Sequence, residues 1–118
     1  MLRVLIVIAA TDVLGNCLAS YANIGSLAAL EELQGSPIRV KYGAALLAYV
    51  VLTIAHAFAR TWQGAAALGA SIYAAYALTN LALLDDYPWS ALAVDSTIGA
   101  AAFALAFLAT DALRRTTR

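Results

Sequence analysis

The chain has 118 residues, 64% apolar and 12% charged, with seven Lys/Arg against seven Asp/Glu and a mean hydropathy of +0.81. This composition excludes an ordinary soluble domain, in which about a quarter of residues are charged. The balanced charge, with no basic stripe interleaved with aromatics, gives no reason to expect a nucleic-acid partner.

The first apolar run extends from Leu2 to about Ile24. It is long enough to cross a hydrocarbon layer of about 30 Å, which takes about 20 helical residues. Arg3 ahead of Val4 to Ala10, with small residues following, also fits a removable signal peptide, a secondary reading. Leu14-Gly15-Asn16-Cys17 loosely resembles a lipoprotein processing site, but Asn16 stands where a small residue is required. Cys17, the one cysteine, cannot form an internal disulfide and reads as a small membrane-buried residue.

Ser26 to Leu33 is expected as a short helix on the membrane surface, with Leu27, Leu30 and Leu33 down and Glu31 and Glu32 up. After Gln34-Gly35-Ser36-Pro37 a second apolar run covers Tyr42 to Ala59. Arg60 to Gln63 separates it from a third run, Gly64 to Leu84. Asp85-Asp86-Tyr87-Pro88 precedes the fourth, Trp89 to Leu113; Pro88 suits a first helical turn and the aspartates its positive end. None of the four runs alternates with period two, so the barrel alternative fails and helices remain. The expected fold is all-α: a single transmembrane domain over residues 1–118, an integral membrane four-helix bundle with short loops and both termini on the same inner side.

The sidedness follows from positive charge. Arg3, Arg60, Arg114, Arg115 and Arg118 fall on the side of the termini, against Arg39 and Lys41 on the other, where Glu31, Glu32, Asp85 and Asp86 also lie. Tyr42, Trp62, Tyr87 and Trp89 fall at the interfaces, as an aromatic belt requires.

Charges inside spans are costly, so Asp12 and Asp95 must face the bundle interior, a partner or a water-filled pocket. Asp12, Asn16 and Ser20 share one face of the first helix at i, i+4, i+8. Tyr73, Tyr76 and Asn80, with Thr79 beside them, form a second stripe on the third, and the fourth adds Asp95 and Gly99. At 1.5 Å per residue, Asp95 lies roughly 9 Å and Asn80 roughly 6 Å below the outer surface, with Asp12 near mid-membrane. The stripes therefore overlap as an intramembrane polar cluster in the outer half, with Asp95 expected to bond to Tyr76, Asn80 or the Asn16 stripe. The plainer reading is glue between helices at about 0.6 to 2 kcal/mol per hydrogen bond. The alternative is a pocket for a small ligand or a proton.

His56 has no second histidine or cysteine pair to complete a metal site and is expected as an interfacial or packing residue. No nucleophile elbow, phosphate loop, haem or dinucleotide motif is present, so no catalytic residue, cofactor or metal is assigned. Ala65, Gly69 and Tyr73, and Ala66, Ala70 and Ala74, recur at four-residue intervals and make one face of the third helix narrow enough for close helix contact.

Tyr73-Ala-Ala-Tyr76-Ala-Leu-Thr79-Asn80, then Tyr87-Pro88-Trp89 and Val94-Asp95-Ser-Thr-Ile-Gly99, resemble a family of small membrane proteins catalogued as domain of unknown function 2177. Asp12 and the basic segment Ile38 to Tyr42 extend the resemblance over nearly the whole chain. It implies four membrane helices and no activity, substrate or cofactor. Three positions depart from the family pattern: Ala77 replaces an acidic residue, Ile98 a tryptophan, and an aromatic usual after the first aspartate is missing near Gly15. Two functional readings follow. One is a non-enzymatic structural or accessory membrane subunit, with the bilayer and other membrane subunits or a second copy as partners. The other is a minimal carrier or membrane enzyme handling a small or lipid-derived ligand in the outer-half pocket. The host membrane stays open between a bacterial inner membrane, an organelle and a viral internal membrane.

Overall fold

The computed structural model describes residues 1–37 and 41–116. Arg39 and Arg118, both used in the charge comparison, lie outside the described residues. Five helices follow in order: α1 Leu2–Tyr21, α2 Ser26–Gln34, α3 Tyr42–His56, α4 Trp62–Leu83 and α5 Trp89–Thr116. The fold is all-α, as composition requires, but the expected count of four changes in two ways.

First, Ser26 to Gln34 is a helix of its own. α1 stops at Tyr21, three residues before the expected end, because Asn23 (φ 57°) and Gly25 (φ 88°) take left-handed conformations that no helix continues through. α2 ends in turn on left-handed Gly35 (φ 73°), whose N–H bonds the Glu31 carbonyl. Ser26 and Ala29 are buried, Leu30 packs partly beneath α2, and Leu33 is exposed. α2 thus docks on α1 and α5 by its smallest side chains.

Second, α1, α4 and α5 are long and apolar enough to cross a membrane, whereas α3 has 15 residues and falls short of that length. At 1.5 Å per residue it extends about 22 Å, against about 42 Å for the 28 residues of α5. α3 ends three residues before the expected Ala59 because the N–H groups of Ala57, Phe58 and Ala59 bond three residues back, to Ile54, Ala55 and His56, winding the chain out of the α-helix. Thr61 then caps α4 through its hydroxyl and the Gly64 N–H at 3.0 Å, so α4 begins at Trp62 rather than Gly64. α5 runs to Thr116, about one turn past the expected Leu113.

The bundle measures 52 × 25 × 23 Å. α5 is its axis, packed most extensively on α4 and then on α1. The expected small-residue face of α4 makes that contact: Ala65, Gly69 and Ala77 are buried, and Gly69 meets Gly99 backbone to backbone. A methyl at either glycine would overlap the other's carbonyl oxygen. α1 approaches α5 with Gly15 against the side chain of Ile98. Ile8 and Phe103 fill the centre of one half of the bundle with Val4, Ala65, Ala102 and Ala106. Ala29, Tyr87 and Ala91 close the other end. The outside is as apolar as the inside: Leu14, Leu18, Leu46, Leu47, Val51 and Leu105 are all exposed, the arrangement for which lipid is the solvent.

Candidate functional site

The polar residues inside the bundle form two groups at different levels, rather than one. The first is built on Asp12 of α1. Asn16, one turn on, donates from Nδ2 to the Asp12 carbonyl oxygen at 2.9 Å and to Oδ1 at 3.1 Å. Tyr73 of α4 donates its hydroxyl to Oδ1 at 2.8 Å, and Tyr49 of α3 donates to Oδ2 at 2.7 Å. One carboxylate therefore ties three helices, with both oxygens engaged by side-chain donors. Hydrogen bonds to a carboxylate are among the strong ones in proteins, and this set meets most of the carboxylate's demand without water. The Tyr73 ring lies against Gly99, where a side chain on α5 would displace it.

The second group surrounds Asp95 of α5, which is 3% exposed. Ser26, the first residue of α2, donates its hydroxyl to Asp95 Oδ1 at 3.1 Å. Asp95 Oδ2, Tyr87 Oη and Asn80 Nδ2 are buried without a partner among the described residues. Tyr87 neighbours Asn80 and Ser26 and feels the Asp95 charge. Burial pushes its phenol above the ordinary value, so it stays neutral. Ser20 Oγ is likewise buried and unpartnered, and Ser20 lines a hollow beside Glu31 and Glu32 of α2.

Of the expected cluster, the structure brings Asp12, Asn16 and Tyr73 together, and places Asn80 near Tyr87 beside Asp95. Asp95 faces inward, but its bonded partner is Ser26, in place of Tyr76, Asn80 or Asn16. Tyr76 is 51% exposed on the outer side of α4, and exposed Thr79 bonds its own helix at the Ala75 carbonyl. The helical pitch explains both: Tyr73 and Ala77 face α5, which turns Tyr76 and Thr79 outward.

Tyr49, Ser26 and Tyr87 join these groups although the sequence assigned them to neither. Tyr49, Thr53 and His56 fall at i, i+4, i+7 on α3, a stripe as regular as the other two, and this spacing was the available signal. Ser26 opens α2 and Tyr87 lies in the connection before α5, and no periodicity announces either. His56 is a packing residue. It is buried, its Nε2 lies 3.2 Å from the Phe103 carbonyl oxygen, and its ring meets that of Phe103 edge-on at 5.4 Å. No group of three His, Cys, Asp or Glu positioned to hold a metal occurs among the described residues.

With this geometry in place, comparison with family models gives a match over residues 5–111 to a family described as "Predicted membrane protein (DUF2177)". The chain belongs to that family. A search of curated proteins and a search of solved structures found no match. Membership agrees with the apolar exterior and the three spanning-length helices. Gly15 leaves the space on α1 that Ile98 of α5 fills. Ala77 is fully buried in α4, where its small side chain belongs to the face turned toward α5.

Proposed function

We propose that the chain is a non-enzymatic structural or accessory subunit of a larger membrane assembly. The observation that carries this reading is the saturation of Asp12 by Tyr49, Tyr73 and Asn16, which uses the most polar group of the bundle interior to join helices. Neither the hollow beside α2 nor a notch of about 290 Å³ between the start of α1, the end of α3 and the last turns of α5 is lined by Asp12, Tyr49, Tyr73 or Asp95. A partner surface is available on the outer side of α4. There Ala67, Ser71, Ala75 and Thr79 are exposed at four-residue spacing, a small-residue stripe of the kind along which membrane helices pack. In this reading α3 is a fourth, short span that the bilayer accommodates by thinning, and the termini face the inner side with Arg3, Arg60, Arg114 and Arg115.

The unpartnered atoms around Asp95 favour a second reading, in which that group handles a proton or a small polar ligand. One experiment separates the two: purification from native membranes with mass spectrometry of co-purifying proteins, for the wild type, Ala75→Leu and Asp95→Asn. Co-purifying membrane proteins are expected with the wild type and Asp95→Asn and lost with Ala75→Leu. A chain that purifies alone, with a transport or lipid-modifying activity that Asp95→Asn abolishes, would overturn the structural reading.

A further inference from the structure

α2 lies over the Asp95 group and has a glycine joint at each end. Before it, Gly25 holds φ 88° and ψ 176°, a backbone region that residues with a side chain essentially never enter. After it, Gly35 is left-handed (φ 73°, ψ 14°), with nothing within 4 Å of where a Cβ would stand. The helix is fastened at its first residue: the Ser26 hydroxyl donates to Asp95 Oδ1 at 3.1 Å, and the Ser26 backbone N–H faces the same carboxyl. Its underside is small, with Ser26 and Ala29 buried, and Ala29 packs in one cluster with Tyr87 and Ala91. Beneath and beside it, three polar atoms are shut away from water without a partner among the described residues: Asp95 Oδ2, Tyr87 Oη and Asn80 Nδ2. Unmet buried polar atoms favour any arrangement that returns water to them.

We propose that α2 is a lid, turning on Gly25 and Gly35, that opens the Asp95 group to water at the end of the bundle where residues 85–88 join α4 to α5. Two opposing effects set its balance. The contact of Ser26 with Asp95 closes the lid, and the unmet atoms of Asp95, Tyr87 and Asn80 favour its opening. The position agrees, since Asp85 and Asp86 stand exposed in the same connection as Tyr87. Lifted, α2 would leave a carboxyl, a phenol and a carboxamide facing the aqueous phase, where a small hydrogen-bonding solute reaches them. Asp12, with both carboxyl oxygens engaged by donors from α1, α3 and α4, is not beneath the lid, so only one of the two inward carboxyls is gated. The inference concerns access to Asp95 and is independent of the accessory-subunit reading.

The test is modification of the full chain in phosphatidylcholine nanodiscs by a water-soluble carbodiimide with glycine ethyl ester, read carboxyl by carboxyl by peptide mass spectrometry. Exposed Asp85 and Asp86 report the rate of an open carboxyl, and Asp12 that of one bonded inside the bundle. Asp95 is expected to react at a rate between the two. Gly25→Ala strains the joint and sets a methyl 3.2 Å from Ala19 Cβ and from Val94 Cγ1, and Ser26→Ala removes the hydroxyl that fastens the lid. Each should speed modification of Asp95 about tenfold, the equivalent of one hydrogen bond to a charged group, and leave Asp12 unchanged. Gly43→Ala, with open space around the added carbon, should alter neither rate. Hydrogen exchange gives a second readout: the amides of residues 27–34 should exchange faster than those of α1 and α5, and faster still in Ser26→Ala. An Asp95 as slow as Asp12 in the wild type overturns the proposal, as does a rate that neither Gly25→Ala nor Ser26→Ala changes. Asp12 and Asp95 accelerating together would assign the opening to the whole bundle and overturn it too, and so would α2 amides that exchange in step with those of α1.

Discussion

Asp12 and Asp95 are both inward-facing carboxylates, yet their surroundings give them different roles. Asp12 receives two phenols and an amide, so removing it strands donors on three helices at once. Asp12→Ala is expected to cost about 2–4 kcal/mol, since each abandoned buried donor costs about 1–3 kcal/mol and neighbours relax in part. Tyr49→Phe removes one donor of the three and should cost about 1 kcal/mol. Unfolding in mixed micelles, followed by helix circular dichroism, measures both. An Asp12→Ala protein as stable as the wild type would mean that the network is not what holds α3 to the bundle. Asp95 has one bonded oxygen and one unpartnered oxygen and is the less saturated of the two carboxylates.

Among the helices, the α4–α5 contact sets the architecture because it is a backbone contact. With Gly69 and Gly99 touching, the axes approach closely enough for Tyr73 to reach Asp12 across the face of α5. Gly69→Ala would drive a methyl into the Gly99 carbonyl and to 2.8 Å from Phe103 Cβ, so the helices must part, at about 1–3 kcal/mol. Gly43→Ala is the control: nothing lies within 4 Å of the added carbon, so that change should be neutral or stabilise by up to about 1 kcal/mol. The same micelle unfolding experiment compares them, and equal stability of the two variants would contradict the tight α4–α5 contact. α3 stands at the opposite extreme, touching α4 little and joined to α1 near Asp12, so it is expected to be the first helix to detach.

For the molecule as a whole, the notch brings the start of α1, the end of α3 and the end of α5 to one end of the bundle. With Cys17 replaced, single cysteines at positions 36 and 61 are expected to be labelled from opposite sides of the membrane, with 61 on the side of the termini. Labelling of both from one side would overturn the four-span topology. The crowding of arginine at the end that holds Arg3, Arg60, Arg114 and Arg115 is the ground on which we propose that end as the inner one.

The sequence by itself determined that this is an all-helical chain with an apolar exterior, because hydropathy and segment length are local sums that need no partner. It also located connections at 35–37, 60–61 and 85–88, where turn chemistry is local, though not the break at 22–25, and the α4 face that α5 covers, where small residues recur at helical pitch. Tertiary structure decided which polar residues meet. Tyr49 and Ser26 reach the two aspartates from elements 37 and 69 residues distant in the chain, and no periodicity encodes a distance of that kind. It also decided that Tyr76 and Thr79 face outward, because the rotation of α4 is set by the contact of Gly69 with Gly99. The shortness of α3, which opens the notch, came last of all: its apolar run continues to Ala59, and only the backbone bonds of residues 57 to 59 end the helix at His56.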